Sequence, residues 1–416
     1  LGNMLVEMYA KCGIMSKAQE VFDSLPLRNI VTWTSLMGGY AQDRNSKQVM
    51  ECWKWMKMEG IPLDAIAYAC LLKTCGSIKD LKKGKEIHEE IVKNVMLKNN
   101  LFLGAGVVDM YIKCGSLREA HEVFDTIPVH DTVMWNVLIG GYVQENQGEG
   151  ALRLFEEMKI EGVLSNSITL SSCLKACGGV ENTAKGRDIH AEISTKGLVE
   201  TDAFLGSVLV DMYAKWGSLV EANVVFCSIP FHDVVTWNAL LAGFVQHNLD
   251  VDAISSFRCM QHEGVSPDEV TYMCMLRICG IEKGGWEIHT DIVQKGLEDN
   301  LFISQTLIQI YAKCGWLERA EKVFDKLSVP NVVSWNALIS GYSKMQNGKE
   351  ALKCFSQMKL EGLFPNSFTY VCGMRACSMI QDAVEGQEIH AKIKRFVYIE
   401  NESVVSNNLM CMKNVV

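Results

Sequence analysis

Apolar residues recur at intervals of three and four along almost the whole chain, the spacing that lines one face of an α-helix, and glycines interrupt the pattern at regular places. A longer period lies over this one. The stretches IVTWTSLMGGY, TVMWNVLIGGY, VVTWNALLAGF and VVSWNALISGY set Trp33, Trp135, Trp237 and Trp335 in near-identical surroundings, 102, 102 and 98 residues apart. Tyr9, Tyr111, Tyr213 and Tyr311 repeat the same intervals, so one four-residue deletion between Cys279 and Asn300 accounts for both sets. Each long period divides into related units of 35, 36 and 31 residues. The chain then reads as a partial unit at 1–29, complete units at 30–64, 65–100, 101–131, 132–166, 167–202, 203–233, 234–268, 269–300, 301–331, 332–366 and 367–402, and a partial unit at 403–416. Self-similarity at such periods is the mark of a repeat array, in which each unit buries its apolar face against its neighbours.

Every unit predicts two helices. In the unit from Leu101 a first helix runs to about Lys113, the chain turns at Gly115, and a second helix continues through LREAHEVFD. The 35-residue units close their second helix at Gly60, Gly162, Gly264 and Gly362, each preceded by Glu, as a C-terminal cap requires. All seven prolines fall in the last four residues of a unit, where they break no helix. The expected fold is all-α, a right-handed superhelical α-solenoid of stacked helix-turn-helix repeats forming a single array. The repeated Trp holds one apolar register in four helices and is expected in the core rather than as a stacking platform.

Composition narrows the function classes. Sixteen Cys without a compact secreted framework predict reduced thiols and an intracellular compartment. The chain has no run of eighteen apolar residues, so no membrane span is expected. It opens with Leu in mid-unit, so a targeting peptide is not legible here.

Catalytic signals are weak. His88-Glu89-Glu90 and His190-Ala191-Glu192 carry the His-x-Glu half of a zinc deaminase signature, but the chain holds no Cys-x-x-Cys. His88, His190, His289 and His390 recur in one unit type, and Cys75, Cys177, Cys279 and Cys377 in one helical register; both sets read as packing residues. Cys12, Cys114 and Cys314 form another register whose fourth member is Trp216, a replacement no metal ligand tolerates. We expect no catalytic residue, metal or cofactor.

The segments WNALISGY…EALKCFSQMKLEG, LKACGGVENTAKGRDIHAEI and DMYIKCGSLREAHEVFD resemble the three motif classes of the plant-type pentatricopeptide repeat family, and their cyclic order resembles its PLS subfamily. The resemblance covers the whole chain. It implies sequence-selective binding of single-stranded RNA in a mitochondrion or chloroplast, commonly to select a site for C-to-U editing, with a deaminase or other editing proteins as partners. It also implies that bases are read at the fifth and last positions of a unit. The last positions include Asn29, Asp64, Asp131, Asn166, Asp202, Asp233, Asp268, Asn331 and Asn366, and also Asn100, Asn300 and Glu402. Asp and Asn suit base edges and suit helix N-caps equally. With Thr32, Thr236 and Ser334 placed to cap instead, base contact is the favoured reading.

The fifth positions are Asn3, Thr34, Ala105, Asn136, Ser171, Ser207, Asn238, Gln305 and Asn336, with Ala69, Met273 and Val371 unable to bond a base edge. These side chains are expected to turn away from the packing between helices. By the family's pairing rule, Thr34 with Asp64 and Ser207 with Asp233 imply guanine, Asn238 with Asp268 uracil, and the Asn–Asn pairs a pyrimidine. The implied target is Y-G-n-n-Y-n-G-U-n-n-Y. Val31, Phe102, Val133, Phe204, Val235, Phe302 and Val333, at the second position, resemble side chains that wedge between bases; packing against the preceding unit is the equal alternative.

Charge argues the other way. The chain carries 40 Lys and Arg against 49 Asp and Glu, whereas nucleic-acid binders are commonly basic. Lys11, Lys113, Lys215 and Lys313 lie eight residues beyond the fifth position, and Lys73, Lys175, Arg277 and Arg375 four beyond it, which puts both sets near one helix face as candidate phosphate contacts. Glu7, Asp109 and Asp211 interrupt that row. A tetratricopeptide-like protein-binding solenoid is the rival reading, though its uniform period and Trp-x-x-Leu-Gly signature are absent. A role in RNA stabilisation or splicing is the rival within RNA biology.

Overall fold

The computed structural model describes residues 2–94, 96–97, 100–278 and 285–397. The partial unit 403–416, Glu402 and Cys279 lie outside the described residues. Among the described residues the chain is all helical, without strands. No helix among them is long and apolar enough to cross a membrane. A helix begins at each of Ile30, Ala65, Leu101, Thr132, Ser167, Ala203, Val234, Glu269, Leu301, Val332 and Ser367.

The helices gather into two compact units, Leu1–Trp216 and Gly217–Val416. In the first, the helices Ile30–Gln42, Ala65–Ile78, Leu101–Lys113, Thr132–Gln144, Ser167–Val180 and Ala203–Lys215 pack side by side as one row. In the second, Val234–Gln246, Glu269–Ile278, Leu301–Lys313, Val332–Lys344 and Ser367–Ile380 do the same. Intervening helices such as Leu117–Thr126, Gly148–Ile160 and Gly348–Leu360 pack on the row helices before and after them and form a second helical layer in each compact unit.

The predicted turns are present. The helix Leu101–Lys113 is followed by Gly115 at φ +77° and then Leu117–Thr126. Gly162 follows the helix Gly148–Ile160 and its cap residue Glu161 at φ +75°, a left-handed conformation that other residues adopt only with strain. Trp33, Trp135, Trp237 and Trp335 are all buried, each edge-on to a Phe of the preceding helix, with ring centroids 4.5–4.8 Å apart. Such pairs add roughly 0.5–1.5 kcal/mol beyond the apolar area they bury.

The Trp216 substitution has a local cause. In the first compact unit the Cys114 thiol donates to the Cys75 carbonyl at 3.8 Å, and one period later the Trp216 indole N–H donates to the Cys177 carbonyl at 3.3 Å. Both groups add a second donor to a carbonyl near a helix end that already accepts a backbone N–H, from Asp80 at 3.0 Å and from Asn182 at 3.2 Å, so the register serves a helix end and not a metal.

Candidate nucleic-acid interface

The Asp and Asn at the ends of units cap the helix that follows. Asn29, Asp64, Asn100, Asp131, Asn166, Asp202, Asp233, Asn300, Asn331 and Asn366 each accept a backbone N–H from the first turn, and Asp268 accepts from Thr271 N–H at 2.9 Å. The expectation that Thr32, Thr236 and Ser334 take this role is overturned. They stand at the third helical position, and Thr32 and Ser334 reciprocate by accepting the cap residue's own N–H, completing capping boxes. Capping occupies one side-chain oxygen of each Asp or Asn. The second Asp oxygen, or the Asn amide nitrogen, points to other use.

The fifth-position side chains are set deeper than expected. Thr34, Ala105, Ser171, Ser207, Gln305 and Asn336 are only 4–8% exposed, and Asn136 and Asn238 are half-buried. They lie between neighbouring row helices instead of turning away from them.

Four Asn residues show one recurring network. The amide nitrogen of Asn3 donates to the capping oxygen of Asn29 at 3.3 Å, that of Asn136 to Asn166 at 3.1 Å, that of Asn238 to Asp268 at 2.9 Å, and that of Asn336 to Asn366 at 3.2 Å. Fifth and last positions thus touch within each compact unit. Hydroxyl residues behave differently. Thr34, Ser171 and Ser207 donate to the backbone carbonyls of Val31, Ile168 and Phe204 at 3.1, 2.9 and 2.8 Å. An Asn amide keeps one N–H to offer, whereas a hydroxyl that has spent its proton offers a lone pair. The two residue types therefore present opposite hydrogen-bond polarity from one register.

Above this register stands an apolar comb. Val31, Phe102, Val133, Phe204, Val235, Phe302 and Val333 are 45–67% exposed, so they do not pack away against the preceding unit. Ile66, Ile168, Val270 and Phe368 occupy the same register and are also exposed, extending the comb to the longer units. In the second compact unit a cleft of about 340 Å³ is lined by Lys313, Val333, Asn336, Asn366 and Phe368, among others. That is near the lower end of small-ligand sites, about 300–1,000 Å³. Its apolar flanks, polar floor and neighbouring cation suit one flat ring with hydrogen-bonding edges.

The candidate phosphate residues divide into two groups. Lys11, Lys113 and Lys215 are tied to Glu7, Asp109 and Asp211 one turn back at 2.7, 2.6 and 2.7 Å, which corrects the expectation of a free cationic row at that position. Lys313 has Gln309 at the corresponding place. Lys73, Lys175, Arg277 and Arg375 are exposed, and among the described residues no ion pair engages them. Lys175 lies over the ring of Phe204, 5.5 Å from its centroid. All four belong to longer units, in which Ala69, Met273 and Val371 bring no reading group.

The recurring histidines are interface residues. His88 and His190 bond through Nδ1 to the hydroxyls of Tyr111 and Tyr213 at 3.0 and 2.9 Å, and His289 bonds likewise to Tyr311. Burial lowers the pKa of all three. Among the described residues no three His, Cys, Asp or Glu side chains are placed to hold a metal ion.

Known proteins share these repeats. The PPR repeat family matches residues 28–77, 130–179, 232–280 and 330–379, and a second description, PPR repeat, matches 304–329. A mitochondrial pentatricopeptide repeat-containing protein of Arabidopsis thaliana is 36% identical over 419 residues, covering 99% of this chain and 40% of that protein. A chloroplastic one from the same plant is 31% identical over 395 residues, covering 92% and 64%. The chain thus spans only part of the length of these curated relatives. The crystal structure of the pentatricopeptide repeat protein PPR10 in complex with an 18-nt psaJ RNA element shares the fold with a TM-score of 0.72 at 18% identity, covering 95% of this chain and 60% of that one. With repeat matches over more than half of its residues, this chain belongs to the pentatricopeptide repeat family.

Proposed function

We propose that the chain binds single-stranded RNA, with each reading unit meeting one base. It does so in a mitochondrion or chloroplast, as the factor that selects a cytidine for editing by a deaminase carried by or recruited to the full-length protein. The observation that carries the reading is the fifth-to-last-position hydrogen bond beneath exposed apolar side chains, found at all four Asn sites. The polarity at these sites supports the pairing. At Asn238 the unspent amide N–H meets a pyrimidine carbonyl while Asp268 accepts the uracil N3–H. At Thr34 the hydroxyl oxygen and the Asp64 carboxylate accept the donors of a guanine edge.

Editing, the cyclic PLS arrangement and the thirteen-unit division rest on the order of 35-, 36- and 31-residue units. The organelle is supported by the mitochondrial and chloroplastic names of the Arabidopsis relatives, and RNA as ligand by the PPR10 complex.

Selection from a randomised RNA pool at controlled salt tests the reading, with enrichment of Y-G-n-n-Y-n-G-U-n-n-Y as the expected result. Asn238→Thr should move the eighth base from uracil toward guanine. A pool without enrichment over competitor sinks RNA recognition, and an unchanged eighth base sinks the assignment of Asn238.

A further inference from the structure

The third residue of a unit has a second contact besides its place in the helix cap. The hydroxyls of Thr32, Thr169, Thr271 and Thr369 reach the amide oxygens of Asn3, Asn136, Asn238 and Asn336 in the preceding unit at 3.0, 2.5, 2.6 and 2.6 Å. The same hydroxyl oxygens accept the cap residue's N–H at 3.1–3.3 Å, and their proton is shared between the amide oxygen and the capping oxygen at 2.8–3.1 Å; the amide oxygen is the nearer acceptor for Thr169, Thr271 and Thr369.

Capping does not require this hydroxyl. Asp64, Asn100, Asp131 and Asp202 cap their helices with Ala67, Leu103, Met134 and Leu205 at the third position. Those four follow Thr34, Ala69, Ala105 and Ser171, none of which carries an amide. Every fifth-position Asn is instead followed by Thr. Where a hydroxyl follows a residue other than Asn it keeps only contacts to its own cap residue: Thr236 donates to the Asp233 carboxylate at 2.7 Å and Ser334 to the Asn331 carbonyl at 2.8 Å.

The amide is therefore held at both ends. Its nitrogen must face the capping oxygen, whose orientation the helix N-terminus dictates, and its oxygen must face the Thr hydroxyl. We propose that Thr32, Thr169, Thr271 and Thr369 are positioning residues for base selection, locking each Asn so that it presents an N–H and never its oxygen to the base. Without the hydroxyl the amide oxygen loses its buried partner, and rotating it toward the cleft is the way to satisfy it. It would then accept from a base donor, and discrimination falls.

The proposal rests on the RNA reading above, and the test separates the two. The whole chain is titrated with three sets of synthetic single-stranded RNAs, each set differing only at the base opposite unit 132–166, 234–268 or 332–366. Thr271→Val should lose roughly tenfold of the wild-type preference for uracil there, the order expected for one buried polar contact. It should keep its preferences opposite Asn136 and Asn336, and Thr271→Ser should restore the lost one. Thr369→Val should show the same local loss opposite Asn336. Valine variants that retain full preference overturn the lock. So does a uniform loss at all bases, which is what a capping role alone produces. A wild-type chain with no preference at this base overturns the RNA reading itself.

Discussion

Asp268 caps a helix and holds the Asn238 amide with one side chain. Burial would raise its pKa, but hydrogen bonds from the Thr271 backbone, the Asn238 amide and the Thr271 hydroxyl outweigh that and leave the carboxyl below its ordinary value. A carboxyl depressed in this way keeps its charge until the pH falls below the usual carboxylate range. Uracil preference opposite Asn238 is therefore expected to stay flat between about pH 5.5 and 8, as titrations with U- and C-containing RNAs across that range would reveal. The exposed comb acts differently, since a phenyl face has no base preference. Phe302→Ala should cost on the order of 1 kcal/mol of RNA affinity and leave the selected sequence unchanged; a measured change in sequence would assign Phe302 a reading role.

Among helices, capping and the proposed base reading can be pulled apart because some units offer only the first. Asn100 caps Leu101–Lys113, but its unit offers Ala69 at the fifth position. Asn100→Ala should lower stability by about 1 kcal/mol in denaturant unfolding and leave base preference unaltered. The helix contacts also carry a pH dependence. His88, His190 and His289 have pKa values lowered by burial, so the unfolded chain takes up protons between the folded values and about 6.5 that the folded chain refuses. Stability is then whole above that window and declines as pH falls through it. The melting temperature should drop from pH 7.5 to 5.5, and drop less in a His88→Gln, His190→Gln variant that no longer titrates there.

For the whole molecule the question is how a chain of net charge −9 would meet the proposed polyanion. Part of the answer lies in the outer helices of the first compact unit, where Lys57 pairs with Glu90, Lys85 with Glu119 at 3.3 Å and Lys159 with Glu192 at 2.8 Å. Acidic residues are spent there on stitching neighbouring units, and further ones neutralise Lys11, Lys113 and Lys215. What remains for phosphates is Lys73, Lys175, Arg277, Lys313 and Arg375. At about 0.7 per neutralised phosphate on single strands, the slope of log affinity against log salt should be near −3.5. A slope steeper than about −5 would mean that the paired lysines release their acids to bind RNA.

Much of this was legible in the residues alone. The apolar spacing and the helix-ending Gly and Pro are local signals, and repetition reinforced each of them, so helices starting at Ile30, Thr132 or Val332 followed from the chain itself. The burial of the Trp quartet followed too, because one apolar register in four copies admits few alternatives. The part that was not legible concerned direction. An Asn such as Asn166 has the same sequence signature as a cap or as a base contact, and the fold makes it the cap while leaving its nitrogen to spare. Neither the reach of Thr271 back to Asn238, 33 residues earlier, nor the consumption of Lys113 by Asp109 could be read from composition. The first depends on which side chains neighbouring helices bring within hydrogen-bonding distance, a property of packing in three dimensions, whereas Lys113 and Asp109 lie one turn apart on a single helix.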